Sequence, residues 1–522
     1  MRLLMRGGSI VDGEGLRRAD VAVEGTIVTA IGDLTPRLDD EVVDCEGRYI
    51  LPGFIDTHSH ADGLMEDDSV QRSLLKQGVT TVIAGQDGVS YAPGDGAYAS
   101  EYFAAINGEH EGYRGGGVAR YLASIDGRSR VNLAYLVPAG TIRWEVCGRS
   151  KNPATAAQRA TMVALVEEGL REGAVGLSTG LDYVPGLFST TDEIAELCDP
   201  VARAGGIYVT HMRGGYESNS AAGVEEIARI SAGSGARIHI SHFHAQASIV
   251  HDQLHALAHA GVDATFDAYP YSRGCTLLGM PLLPPELSVL PVDTVIAIIA
   301  DPVERARLRR EWLPIVERSA SLGPGWSSMI TLAHVAAPEF GWTHGLTLEE
   351  AAARAGTDAL DLTLDVLGAS RLQVNAVMAV AHERTATELA RIFAHPGHMG
   401  GSDGIFIGAH PHPRARGTFA RYLREFVRDR QAWSWSDAVH HLSTTPAERF
   451  GLGQRGKVLP GWIADLIVVS PDTVADTATY ADPLGEAIGI EDALVAGEPV
   501  LAHGALAGGA PGRGLRRQIT EG

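Results

Sequence analysis

The chain has 522 residues, a formal charge of −21, 45% apolar residues and only 6% aromatic ones. That length exceeds one ordinary domain and suits a large α/β barrel with an appendage, with enough apolar residues for a real core. The negative balance excludes nucleic acid and anionic membrane surfaces as main partners, and no run of about 18 apolar residues is present to span a bilayer.

Residues 1–52 break into short β-like pieces, "RLLMRGGSIVDG", "ADVAVEGTIVTAIG" and "EVVDCEGRYILPG", punctuated by Gly and Asp as hairpins are. A matching set, "GKVLPGWIADLIVVSPDTV" and "IEDALVAGEPVLAHG", lies in residues 454–522. Neither set is long enough to bury a sheet alone, so the two chain ends are expected to join in one small β domain. Residues 53–453 alternate strand-like and helical runs. The strand candidates are "RYILPGFIDTH", "GVTTVIAG", "RVNLAYLVPAG", "GAVGLSTG", "GGIYVTHMR", "ARIHISHFH", "VDATFDAYP" and "HMGGSDG". Helical stretches such as "AAQRATMVALVEEGLREG" and "STTDEIAELCDPVARAG" separate them, the second opening on an N-cap pattern at Thr190-Thr191-Asp192-Glu193. Eight strands in this alternation predict an α/β fold, a TIM-like (β/α)8 barrel.

About 125 residues separate the seventh and eighth candidates, so an insertion is expected over about 275–375. The glycine-rich "GALAGGAPGRG" reads as a loosely ordered end. "MRLLMRGGSIVDG" has too short an apolar stretch for a signal peptide, and Cys45, Cys147, Cys198 and Cys275 show no CxxC spacing. A cytoplasmic protein with reduced thiols is expected.

Polar residues interrupt the strand candidates at their C-terminal ends. His58 and His60 end the first, where i and i+2 share a face of a strand. Asp87 follows the second, His211 ends the fifth, His242 the sixth, and Asp403 the eighth. In a barrel those ends converge on one mouth. One buried histidine there is an ordinary core residue, but four histidines and two carboxylates complete one another best through a divalent cation.

Taken together, "LPGFIDTHSHAD", "GAVGLSTGLDYVPG", "YVTHMR", "DAYPY", "GGSDG" and "HPRARGTF" resemble the amidohydrolase superfamily, and within it the N-acyl-D-amino-acid deacylases. The resemblance runs nearly end to end. It implies that His58, His60 and Asp403 hold one zinc, and that His211 and His242 hold a second. Where the deacylases usually supply a cysteine after the second strand, this chain has Asp87. Other superfamily members bridge two metals with a carboxylated lysine on the fourth strand, but the three lysines here (Lys76, Lys151, Lys457) all lie elsewhere. Asp87 is therefore the candidate bridge, with a plain cap on the glycine-rich turn as the alternative. A carboxylate in place of thiolate makes the site less selective for zinc, so one or two Zn2+ per chain, or another divalent ion, are expected.

Such a site supplies hydroxide at neutral pH and polarises an amide carbonyl. The resemblance gives Asp403 a second task, passing the water's proton to the leaving amine. The expected activity is hydrolysis of an N-acyl-D-amino acid or related N-acyl compound, a small-molecule substrate. The competing readings are a cyclic amidohydrolase of the hydantoinase or dihydroorotase kind and a non-catalytic scaffold. The substrate's carboxylate calls for an arginine fork. Arg213 and Arg414 are candidates, as is Arg273 after the seventh strand, with Tyr183 and Tyr269 as donors to the carboxylate or oxyanion. His244, His382, His398, His410 and His412 are supporting or surface residues that the sequence does not rank. It does not disclose the oligomeric state.

Overall fold

A computed structural model of the chain describes residues 2–12, 15–319 and 321–518. Its centre is a parallel barrel of eight strands: β1 (Phe54–Asp56), β2 (Val79–Ala84), β3 (Asn132–Pro138), β4 (Gly176–Gly180), β5 (Ile207–His211), β6 (Arg237–Ile240), β7 (Ala264–Ala268) and β8 (His398–Gly400). Each pairs with the next, and the ring closes where Thr57 N donates to Gly400 O (3.1 Å) and Ser59 bridges Gly404. Strands covered on both faces are apolar almost throughout, which is why they appear in the sequence as short continuous runs. β2 and β3 are buried at every position.

Helices fill the crossovers. Ala156–Arg171 starts with a capping box between Thr155 and Gln158. In Thr191–Arg203 the Thr190 side chain accepts from Glu193 N (3.2 Å), but Glu193 does not complete a box, because its carboxylate pairs with buried Arg143. Gly180, at the end of β4, lies so close to the loop after β2 that a Cβ there would meet Asp87 O at 2.2 Å. A side chain at this strand end would displace that loop.

The two chain ends meet beside the barrel. Tyr49–Pro52 runs antiparallel to Leu466–Val469 within a seven-stranded sheet that also takes in Ser9–Asp12 and Ile490–Val495. A four-stranded sheet from residues 2–44 packs against it through Leu3, Met5, Val21, Ile50, Leu466 and Leu494. The glycine-rich end is not loose. Gly514–Leu515 pairs with β3, and a Cβ on Gly514 would sit 2.2 Å from Leu122 O. Glycine serves close approach there rather than freedom.

Between β7 and β8 lies a three-stranded antiparallel sheet (Gly274–Leu277, Val374–Met378, Ile330–Val335) with helices Val292–Ala300, Leu348–Ala355 and Ala359–Ala369. It has its own apolar cluster, including Leu282, Ile299, Trp326, Leu348 and Leu367. It is tied to helix Ala97–Asn107, where Asn375 Nδ2 donates to Ala105 O (2.6 Å). Among the described residues no helix is long and apolar enough to cross a membrane.

Candidate metal centre

Six side chains meet at the C-terminal mouth of the barrel. His58 and His60 extend beyond β1, and Asp403 N donates to His58 O (2.7 Å), so the ring closure itself sets these residues side by side. Asp87, His242 and Asp403 all have positive φ (54°, 34° and 50°), a region that non-glycine residues rarely adopt. Such strain concentrates where side chains must be aimed at a site.

The ligand atoms form two groups, His58/His60/Asp87 and Asp87/His211/His242, with Asp87 in both. Asp87 Oδ2 lies 3.6 Å from His60 Nε2, while Oδ1 lies 3.7 Å from His58 Nε2 and 3.8 Å from His242 Nε2. Asp403 Oδ1 lies 3.2 Å from His60 Nε2 and 3.8 Å from His58 Nε2. His211 Nδ1 faces His242 Nε2 at 3.2 Å.

Two of the four histidines are hydrogen-bonded through their other nitrogen, as metal-binding histidines are. His60 Nδ1–H donates to Asn107 Oδ1 (2.8 Å), and His211 Nε2–H donates to Asp182 Oδ2 (3.2 Å). Asp267 Oδ2 stands 3.5 Å from His58 Nδ1, accepts from His239 Nε2 at 3.0 Å, and its Oδ1 accepts from His242 N at 2.8 Å. These bonds aim His60 Nε2 and His211 Nδ1 inward, while the charge of Asp267 faces His58 Nδ1 and leaves its Nε2 toward Asp87 and Asp403.

The electrostatics fit a cation. Burial would lower His58, but the carboxylates of Asp267, Asp87 and Asp403 outweigh it and push it up to about 9. Burial would raise Asp87, yet the neighbouring imidazoles of His242, His58 and His211 hold it well below the usual carboxylate range. Asp403 is likewise held low against burial, first by Arg414. Even so, His58 Nε2 and Asp87 Oδ1 are buried with no hydrogen-bond partner. Buried polar atoms left unbonded, in a cluster whose carboxylates draw positive charge, suit one or two divalent ions. Asp87 Oδ1 makes no hydrogen bond to the turn it sits in, which favours the bridge over the turn cap.

Arg414 is fully buried, with Nη2 2.8 Å from Asp403 Oδ2 and its guanidinium 4.6 Å over the Tyr269 ring. Its Nε and Nη1 have no hydrogen-bond partner. Tyr183 packs 5.1 Å from the His211 ring and shares a hydrogen bond with Thr276 (2.9 Å). Arg213 does not join them. Its fork is spent on Glu226 (3.0 Å) and the carbonyls of Leu187 (2.6 Å) and Ser189 (2.8 Å), bracing the loop after β4. Arg273 lies 4.4 Å over the Tyr480 ring. His244 Nδ1–H donates to His242 O (2.5 Å), while His410 and His412 bind the backbone of Tyr480 and Arg273. His398 is buried against Phe393 and Trp433.

Fold and mouth together define a metal-dependent hydrolase barrel. The amidohydrolase family matches residues 41–275 and 328–501. The chain belongs to that family. It is 34% identical to a D-aminoacylase of Alcaligenes xylosoxydans xylosoxydans over 99% of this chain and 97% of the relative. It is 31% identical to an N-acyl-D-glutamate deacylase of the same organism, with the same coverage. Among solved structures, the N-acyl-D-glutamate deacylase of Bordetella bronchiseptica, complexed with zinc and a phosphonate mimic of the tetrahedral intermediate, is 30% identical with a TM-score of 0.80, over 98% of this chain and 99% of that one. A dihydropyrimidinase of Brevibacillus agri shares the fold at 14% identity, TM-score 0.60, with 99% of both chains covered.

Proposed function

We propose that this chain is a zinc-dependent deacylase that hydrolyses the amide of an N-acyl-D-amino acid, releasing a carboxylate and a free amine in the cytoplasm. The observation that carries the reading is the pairing at one mouth of a ligand cluster with a buried arginine, Arg414, whose Nε and Nη1 lack partners. The first suits hydrolysis of an amide, the second the carboxylate that an N-acyl amino acid presents. End-to-end similarity to several deacylases supports it, and the unpaired thiols are in keeping with a reducing compartment.

In this reading His58, His60 and Asp403 would hold one ion and His211 and His242 another, with Asp87 the carboxylate common to both groups. Bound zinc supplies Lewis acidity to the scissile carbonyl and acidifies water. Asp403 takes the water's proton and delivers it to the leaving nitrogen, without which an amine is a poor leaving group. Arg414 and Tyr269 orient the substrate's carboxylate, and Tyr183 donates toward the carbonyl oxygen. The test is amine release by zinc-loaded protein from a panel of N-acetyl-D- and N-acetyl-L-amino acids. Release from D-substrates, abolished by a chelator and restored by zinc, is expected. Release from none of them, or from L-substrates alone, refutes the reading.

A further inference from the structure

The insertion between β7 and β8 returns to the barrel through residues 379–385, and Arg384 on this segment meets loops at the mouth. Its side chain is 2% exposed. Nη1 donates to Glu217 in the loop after β5, and Nη2 donates to Ser272 O (3.2 Å) in the loop after β7. Glu217 N in turn donates to His244 O (3.3 Å), two residues from His242. Nε of Arg384 is buried and has no hydrogen-bond partner.

A guanidinium left with an unmade bond away from water is costly, and an anion is what completes it. Glu217 fills this role only in part. Its side chain is 35% exposed, and its φ of 56° lies in the left-handed region. Burial pushes its carboxyl up while Arg384 opposes the rise. Tyr269 stands between the two arginines' surroundings: Arg414 lies over its ring at 4.6 Å, and its ring lies 6.1 Å from that of His244, whose carbonyl accepts from Glu217 N.

We propose that Arg384 is a second substrate-binding arginine that grips, with Arg414, the carboxylate of the substrate's amino-acid half, and that Glu217 occupies its fork until that carboxylate arrives. The inference rests on the deacylase reading above and adds a residue that the insertion, not the barrel, provides. The substrate anion displaces one carboxylate from the fork and takes up the donor that Glu217 leaves unused.

The experiment compares zinc-loaded wild type with Arg384→Ala, Arg384→Lys and Glu217→Gln on the best N-acetyl-D-amino acid of the panel and on its α-carboxamide. The readout is the ratio of kcat/KM between acid and amide, with melting temperatures alongside. Arg384→Ala is expected to lower the ratio about tenfold or more, mainly through KM, the scale of a lost charge-assisted hydrogen bond. Arg384→Lys recovers part of it. Glu217→Gln raises the ratio, because the fork's charge is no longer offset. Should Arg384→Ala fail to fold, the lysine and glutamine variants still decide. A parallel loss on both substrates, or a ratio that falls in Glu217→Gln as it does in Arg384→Ala, identifies a structural ion pair and overturns the proposal. Wild type inactive on both substrates removes the deacylase reading, and this subsite with it.

Discussion

Asp87→Ala separates a bridging carboxylate from a bystander. The two oxygens of Asp87 face different histidines, Oδ2 toward His60 (3.6 Å) and Oδ1 toward His58 (3.7 Å) and His242 (3.8 Å). Removing it leaves His58, His60 and Asp403 as three ligands for one ion, and His211 with His242 as two for the other. Catalytic zinc sites keep three protein ligands, so the second ion falls below that number. A four-ligand zinc site binds with about 10–16 kcal/mol, or about 2.5–4 kcal/mol per ligand, so losing one weakens the second ion about seventy- to a thousandfold. The assay is zinc per chain after passage over a chelating resin, with the melting temperature measured with and without added zinc. Wild type is expected to retain two ions and the variant one, with a smaller zinc-dependent rise in melting temperature. Asp87→Cys restores the count and shifts preference toward softer ions such as cadmium. Equal stoichiometry and equal half-saturation in wild type and Asp87→Ala refute the bridge.

Asp403→Asn keeps the fold and lowers kcat about a hundredfold or more, the scale of lost general acid–base catalysis; normal turnover assigns the proton shuttle to another group. Asp267→Asn removes the charge that faces His58 and the carboxylate that accepts from His239, and is expected to weaken metal binding or activity about ten- to a hundredfold, read by zinc titration. Buried His441, stacked on Trp433 with centroids 4.7 Å apart, is lowered by burial from 6.5 to about 4. The fold keeps it neutral while the unfolded chain takes up a proton, so stability present above about pH 6.5 is lost as pH falls toward about 4. Denaturant titrations across that range should show a shallower loss for His441→Gln; an unchanged slope removes this histidine from the acid sensitivity.

The ring of strands is legible in the sequence because buried parallel strands are short apolar runs, and the same runs end in the polar residues that face the mouth. His58, His60, His211 and Asp403 stand out for this reason. Asp267 does not, because it sits inside a strand and its role depends on a cross-strand neighbour, His239, that only the ring's order reveals. Asn107 ends a helix far from β1 in the chain, and nothing local marks it as the partner of His60. Arg213 misleads: its place two residues beyond His211 is right, but Glu226 on the following helix captures it. Composition also misleads at Gly514, where glycine signals tight packing against Leu122.

The joining of distant segments has a consequence for synthesis. Tyr49–Pro52 leaves the ribosome long before its antiparallel neighbour Leu466–Val469, which is made more than four hundred residues later. At about 5–20 residues per second, the early strands wait about 20–80 s with an open hydrogen-bonding edge. Gly514–Leu515, which lies against β3, emerges later still. Nascent chains of this protein therefore carry an unpaired sheet edge for as long as the barrel takes to be made, and a chain cut short before residue 512 never receives the strand that packs against β3.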